Sequence, residues 1–473
     1  MLASGCAVGP SFHTPAPPET AAYTPRPLPG ATAAAPQRFL PGGAVAARWW
    51  TLFGSARLDA LEDEALRANS DLAAARAALR QARELYLAQR AALWPTVGLA
   101  ASAARAKNSL TIAPPLADNS EYYTLYQGQL TLSYGVDAFG GLHRQAEAAA
   151  AQADSQRFET EAAYLTLTTN VANAALTLAG LDDQLAATEQ AIAADRRTLE
   201  LTRDQERAGQ ASTLDVAAAA GAPEQAAQQA AALRRQIDLQ RDLLAVLLGR
   251  PSSAAPADKF SLADFQLPPE LPVSLPARLV RQRPDVLAAE ASLHAASAEV
   301  GVALAARLPS LTLTAAAGGA SGYLGRLLNG DNALWSVAGG AAETVFDAGA
   351  LKHRQKGAEA ALDQAKAQYR AATLTALQNV ADTLQAIVED ADADQHAAAA
   401  QAAANASFKL AEAQFQQGEA GALPALAAQA SLAQANVALA QTRAARYADT
   451  VALFQALGGG WWNDPQEQAD GRR

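Results

Sequence analysis

Cysteine is all but absent from this 473-residue chain: Cys6 stands alone, so no internal disulfide can staple the fold. Charged residues make up only 18% and aromatics 6%, while half of the residues are hydrophobic. Much of that apolar half is alanine, which forms helix readily and buries little surface per residue. Such a composition suits long, closely packed helices better than a broad globular core. Basic residues are in deficit, 37 Lys and Arg against 47 Asp and Glu, for a net charge of −10. That excludes a nucleic-acid surface, which needs basic patches with aromatic platforms. No run of apolar residues is long enough for a membrane helix; the best stretch, around residues 300–313, is interrupted by Arg307 and Pro309. A membrane crossing would therefore fall to a β-barrel. Catalytic signatures are lacking too. His13, His143, His294, His353 and His396 form no HExxH pair, and neither a GxSxG elbow nor a phosphate loop occurs. His143 and His353 fall near matching places in two halves of the chain, where polar residues at helix starts account for them better than a metal does. No enzyme activity, metal or cofactor is expected.

What is present begins with proline. Pro10, Pro15, Pro17, Pro18, Pro25, Pro27, Pro29, Pro36 and Pro41 make residues 1–48 an extended tether rather than a helix. At its start, Leu2-Ala3-Ser4-Gly5-Cys6-Ala7 resembles the end of a lipoprotein signal, in which small residues precede a cysteine that becomes lipidated. Ala3 stands where leucine is usual. The charged and apolar regions of such a signal are missing, so Met1 reads as lying inside the signal. A covalent lipid on Cys6 is expected, the alternative being an ordinary free thiol.

Between the tether and a loose polar tail (463–473), the chain repeats itself at an offset of slightly over two hundred residues. Asn69-Ser70-Asp71-Leu72 corresponds to Arg283-Pro284-Asp285-Val286, and Trp94-Pro95-Thr96-Val97 to Leu308-Pro309-Ser310-Leu311. Phe139-Gly140-Gly141-Leu142 matches the Phe346–Leu351 stretch loosely, Ala208-Gly209 matches Gln417-Gly418, and Leu248-Gly249 matches Leu457-Gly458. Matches in one order imply duplication, with repeats at 49–260 and 261–462. Each reads helix, strand, loop, strand, long helix, tight turn, long helix.

From Tyr122 onward, Tyr126, Leu130, Leu132, Tyr134 and Val136 alternate with Gln127, Gln129, Thr131 and Ser133. This is the period of a strand with one apolar and one wet face. Val97, Leu99, Ala101 and Ala103 alternate more weakly, as do Leu311 and Leu313 with Thr312 and Thr314. A fourth strand near residues 335–345 is the least clear, because Glu343 shares the parity of Trp335 and Val337. A soluble antiparallel sheet is the plainer alternative. The long helices carry a three-four stripe: Leu167, Val171, Ala174, Leu178, Leu181, Leu185, Thr188, Ile192, Asp195 and Leu199 in the first half, and Leu423 through Ala430, Val437, Tyr447 and Phe454 in the second. Such stripes are coiled-coil seams. A helix from Leu142 to Arg207 would be roughly 100 Å long, more than any globular core requires. Pro223, beside Gly221, predicts a kink or local break in the helix after Ser212. Four strands cannot close a barrel alone, and open edges are forbidden in lipid, so several chains must share one barrel; three would supply twelve strands.

At this point Cys6-Ala7-Val8-Gly9-Pro10, Trp49-Trp50, Arg281-Gln282-Arg283-Pro284-Asp285-Val286 and Ala456-Leu457-Gly458-Gly459-Gly460-Trp461 become informative together. They resemble hallmarks of the TolC-like outer-membrane efflux factors, in their NodT-type lipoprotein branch. The resemblance runs from Cys6 to Trp461. It implies an α+β membrane protein with internal duplication: a long α-helical barrel joined to a transmembrane β-barrel, four strands per protomer closing as a homotrimer. It implies a lipid-anchored place in the outer membrane of a Gram-negative bacterium, reaching into the periplasm. The partners it implies are a periplasmic adaptor (a membrane fusion protein), an inner-membrane pump of the resistance-nodulation-division type and outer-membrane lipid. The expected function is a passive exit duct for small molecules such as drugs. Alternatives are a duct of the same fold for protein secretion, or a lipid-anchored coiled-coil adaptor without a pore. An adaptor would carry β-rich lipoyl-like segments and one hairpin instead of two repeated halves.

The resemblance also implies roles for single residues. The turns holding Gly209 and Gln210, and Gly418 and Glu419, would be the periplasmic tips that contact the adaptor, although a helix end capped by glycine explains both turns equally well. Asp215 falls where TolC-like proteins carry an aspartate facing the closed aperture. Pro424 and Ala427 stand at second-half positions where the family often has acids. Ser212 and Asp215 also fit a capping box, so Asp215 is either gate or cap.

Overall fold

The computed structural model describes residues 7–20, 22–33, 37–107, 109 and 122–463; Cys6 and the tail after Asn463 lie outside them. No helix forms in the described part of the proline-rich tether. It contributes a short strand, β1 (Arg38–Pro41), and leads into a single 3-10 turn at Trp49–Phe53. Helices α1 (Ala56–Ala68) and α2 (Ser70–Ala91), strands β2 (Thr96–Lys107) and β3 (Tyr122–Val136), and helices α3 (Gly141–Arg207) and α4 (Thr213–Leu247) follow. The second half gives β4 (Glu270–Val273), the short α5 (Pro276–Leu279), α6 (Pro284–Ala305), β5 (Ser310–Ser321), β6 (Ala333–Ala342), α7 (Ala350–Gln416) and α8 (Ala422–Ala456). Helices α3 and α7 have 67 residues each, α4 and α8 35 each, and α2 and α6 22 each. The halves thus agree helix by helix.

Two compact units divide these elements, each drawing on both halves. The first takes the described residues up to Pro15, with Ala78–Arg157 and Ala288–Arg370. It holds a four-stranded antiparallel sheet in the order β2-β3-β5-β6. The register sets apolar residues in rows across all four strands: Val97, Leu132, Ala315 and Val337 in one, Leu99, Leu130, Ala317 and Trp335 in the next. On the other face, Thr96, Ser133, Thr314 and Ala338 form a row, as do Gly98, Thr131, Ala316 and Ser336. The apolar face is not a core. Leu99 is 78% exposed and Trp335 79%. Strand β6 ends at Ala342, short of the expected residue 345. Glu343 therefore stands outside the sheet, which removes the parity conflict.

The second unit takes Ala16–Ala77, Phe158–Leu287 and the described residues from Ala371 onward. Its aromatic core is built from Trp49, Trp50, Phe53 and Phe454, with Trp49 stacked on Phe454 at 5.3 Å between ring centroids. Parallel pairing of β1 with β4 closes one side of this unit. Arg446, 1% exposed, is held by Asp394 at 3.2 Å, Gln37 Oε1 at 3.3 Å and Thr32 Oγ1 at 3.3 Å. A buried guanidinium cannot shed its charge, so it needs this full set of acceptors.

Two expectations need correction. The helix α4 runs uninterrupted through Pro223, so the local break is absent. The ring is buried there, which offsets part of the lost hydrogen bond, and Gly221 beside it faces open space. Near its start, α8 buries Ala422, Ala425 and Gln429, whereas Leu423 and Ala430 of the expected stripe are exposed. Phe415 causes the shift: its ring packs on Ala422 and Ala425 and turns α8 one residue from the expected seam. The first-half stripe fits as expected, none of its members being exposed.

Glu62 on α1 is fully buried, and among the described residues neither carboxyl oxygen has a hydrogen-bond partner; the indole N–H groups of Trp49 and Trp50 are likewise buried and unpartnered there. Burial, with Asp59 and Asp63 adding to it against Arg48, pushes the Glu62 carboxyl well above the usual range. The folded chain therefore keeps a proton that the unfolded chain loses above about pH 4, and stability falls as pH rises beyond that. Glu62→Gln should raise the thermal midpoint at pH 8, with the gain vanishing toward pH 4. A loss of stability of equal size at both pH values would mean that Glu62 is ionised and paired.

Candidate functional site

The turn between α3 and α4 ends a helix by backbone geometry alone. Gly209 takes φ 75°, its N–H donates to Glu206 O at 2.8 Å, and Gln210 N–H reaches back to Gln205 O at 2.8 Å. The turn between α7 and α8 repeats this: Gly418 has φ 74°, donating to Phe415 O at 3.1 Å, and Glu419 N–H donates to Gln414 O at 2.9 Å. Both are Schellman closures, which need a left-handed residue just past the helix. Gly209, Gln210, Gly418 and Glu419 are all exposed. The structure brings the turns together: Gln205, Ala208 and Gln210 of one line a shallow cavity of about 220 Å³ with Phe415 and Gln416 of the other.

The next helix starts differently in the two halves. Ser212 Oγ accepts the Asp215 N–H at 3.2 Å, and Asp215 Oδ2 accepts the Ser212 N–H at 2.9 Å and its hydroxyl at 2.7 Å. This is a reciprocal capping box. The Ser212 hydroxyl and then its N–H hold the Asp215 carboxyl below the usual range, keeping it ionised at the surface. In the second half Gly421 occupies the N-cap position without a side-chain bond, and Pro424 stands at the place of Asp215. The tips thus carry one capped acid per chain at this level.

Two functional-looking acids escaped sequence reasoning. Asp137 accepts the N–H groups of Leu142 and His143, at 3.0 and 2.9 Å, where α3 begins. Asp347 accepts those of Gly349 and Leu351, at 2.8 and 2.6 Å, where α7 begins. Burial works against the Asp137 charge, but hydrogen bonds from the His143 ring and the two backbone groups outweigh it and lower the pKa; the Leu351 N–H does most to lower that of Asp347. His143 Nδ1 lies 2.5 Å from Asp137 Oδ2, so this histidine belongs to the cap. Matching the repeat on phenylalanine instead of aspartate hid the pair; the Asp-x-x-Gly and Asp-x-Gly spacings would have revealed it.

The start of the described chain is pinned within the first unit. Val8 N–H donates to Phe139 O at 3.1 Å, Arg144 Nε donates to Val8 O at 3.2 Å, and Gly9, at φ 98°, passes so close to Gly301 that a Cβ would sit 2.5 Å from its Cα. Ala7 packs against Gly140, at the junction where β3 gives way to α3.

An exposed amphipathic sheet with open edges, paired long helices and repeated turns point to a membrane-associated protein, and comparison with known proteins gives the family. The outer membrane efflux protein family matches the chain twice, over residues 61–250 and 275–459. The chain belongs to this family, the TolC-like outer-membrane components of resistance-nodulation-division efflux systems, and its place is the outer membrane of a Gram-negative bacterium. It is 32% identical to the pyoverdine export outer membrane protein OpmQ of Pseudomonas putida over 428 residues, 88% of this chain and 89% of that one. It is 31% identical to the toluene efflux pump outer membrane protein TtgF of Pseudomonas putida, over 97% of this chain and 95% of that one. The solved outer-membrane channel OprN superposes with a TM-score of 0.87 at 27% identity, covering 96% of this chain and all of that one.

Gly209→Ala and Gly418→Ala isolate the backbone strain of the turns, because nothing lies within 4 Å of either added Cβ. Each should cost about 1 kcal/mol and speed limited proteolysis at its own turn. Unchanged cleavage would show that neither turn needs its left-handed residue.

Proposed function

We propose that three copies of this chain close a twelve-stranded barrel in the outer membrane and continue it as a helical tunnel, forming a passive exit duct for small molecules. The sheet carries the reading. It has one exposed apolar face and open edges at β2 and β6, and in lipid each unpaired backbone group would cost several kcal/mol. Sharing strands among three chains removes the edges and leaves the polar face around a wet lumen. Helices of 67 residues support a tunnel, reaching roughly 100 Å if straight. The matching helix lengths support an ancestral duplication. The named roles of the relatives in pyoverdine export and toluene efflux support small organic cargo.

Family membership implies an adaptor and an inner-membrane pump as partners, and we assign Gly209, Gln210, Gly418 and Glu419 to the adaptor contact. Exposed Leu214 and Leu423, at matching places beside the two turns, support this assignment. Asp215 would ring the closed aperture, one per chain. The purified protein should be a detergent-stable trimer that conducts ions, with cation preference, in planar bilayers; a monomer without conductance sinks the proposal. Glutamine can serve in a capping box without charge, so Asp215→Gln should lose cation preference and keep thermal stability. Unchanged preference would leave Asp215 as a cap.

Cys6 would carry the lipid. The placement of Ala7 beside Gly140 supports this, since it sets the residue that follows Cys6 in the sequence at the root of the sheet. Expressed with a full signal upstream, the mature chain should begin at Cys6 and show the mass of acyl groups on its sulfur and amino group. An unmodified thiol overturns the assignment. The trimer should assemble either way, because the barrel is itself an anchor.

A further inference from the structure

The α3 seam contains one acid. Asp195 occupies a stripe position otherwise filled by aliphatic residues and Thr188, and it is only 7% exposed. No described residue donates a hydrogen bond to its carboxyl, and burial alone holds it up at about 6. It lines a cavity of about 660 Å³ within the second unit, walled by α3, α4 and α8. That volume lies in the range of small-molecule sites.

Asp195 is the only charged or titratable residue of the lining on any of the three helices; the others are alanines, a few larger aliphatics, Thr188 and glutamines. Several of these polar groups commit one hydrogen to the protein. The side-chain amide of Gln429 donates to Ala191 O at 3.1 Å, that of Gln441 to Gln184 Oε1 at 3.4 Å, and that of Gln184 to Gly180 O at 3.1 Å. The Thr188 hydroxyl donates to Gln184 O at 2.8 Å. The cavity is therefore lined by neutral amides and a hydroxyl set among alanine methyls, with the Asp195 carboxylate as its one charge. One negative charge without a hydrogen-bond donor among the described residues, neutral polar groups and apolar walls complement a ligand with a positive charge and an apolar body.

From this juxtaposition we propose that the α3–α4–α8 cavity binds small organic cations, alkyl- or arylammonium or guanidinium compounds, with Asp195 as the counter-ion. As a station for cationic cargo the site rests on the duct reading; as a binding site it stands without it. A bound cation would supply the partner that the buried carboxylate lacks.

Ethidium is a suitable probe, followed by fluorescence anisotropy on the full chain in detergent. Only the ionised carboxylate pairs with a cation, so wild-type binding should tighten as pH rises through about 6. At pH 7.5, Asp195→Asn should bind about tenfold more weakly, the loss of one charged hydrogen bond, and show no such pH dependence. Its thermal midpoint at pH 7.5 should equal or exceed that of the wild type, since a buried unpaired charge has been removed, so weaker binding would not reflect unfolding. Equal affinity of the two proteins overturns the proposal, as does absence of ethidium binding or equally tight binding of an uncharged aromatic of the same size. Conductance of Asp195→Asn in planar bilayers separates the two readings: a conducting variant with unchanged ethidium affinity defeats the site alone, and a wild type that binds ethidium but never conducts defeats the duct alone.

Discussion

The backbone along the outer edges of β2 and β6 constrains everything else in this chain. Each edge presents a row of amides and carbonyls that the four-stranded sheet leaves unmatched, and the sheet also exposes its leucines, valines and tryptophan on one face. Water would satisfy the edges but not the face; lipid would satisfy the face but not the edges. The proposed assembly, pairing β2 of one copy with β6 of the next, would resolve both at once.

At the helix ends, the chain uses one device repeatedly. Gly209, Gly249, Gly418 and Gly458 all take the left-handed conformation just after a long helix, and each closes it with a backbone bond to the preceding turn. At Gly249 the requirement is doubled, since a Cβ there would lie 2.3 Å from the Ala68 carbonyl oxygen. Side-chain caps are used at the starts of α3, α7 and α4, through Asp137, Asp347 and the Ser212–Asp215 pair. Polar side chains initiate and glycines terminate, as the unsatisfied groups at the two ends of a helix demand.

Much of this was legible in the sequence, and the limits are physical. Alternation around Leu130 and the stripe through Leu167 and Val171 report directly on which side chains share a face, and both were read correctly. The repeat was visible because its glycines and prolines occupy backbone positions that few other residues can fill. The α8 stripe holds through Tyr447, Val451 and Phe454 but misses at Leu423 and Ala430, where Ala422 and Ala425 pack on Phe415 instead, a choice that alanine-rich sequence leaves open. Asp137 and Asp347 stayed hidden because one extra residue separates the acid from its glycine in the first half. Pro223 predicts a kink or a break, and the break is absent; the burial of its ring has no signature in local sequence. For the turn residues the sequence could show the turn but not its use: Asp215 has the capping geometry, and at the proposed aperture it would carry charge as well.

Three of the buried ionisable side chains, Arg446, Glu62 and Asp195, differ in how they escape the cost of burial. Arg446 cannot lose its proton, so the fold surrounds it with Asp394, Gln37 and Thr32. Glu62 can take up a proton, and without any partner it is held in that form. Asp195 is intermediate: burial raises it only to about 6, so near neutral pH it remains ionised and without a cation. A neutral glutamine would fill the same seam position with less strain on stability. The alanine-rich helices also leave room beside it, since methyl groups at positions that leucine could fill open the cavity instead of closing it. A charged group and an empty volume each cost stability alone; placed together, they make sense as two halves of one binding site.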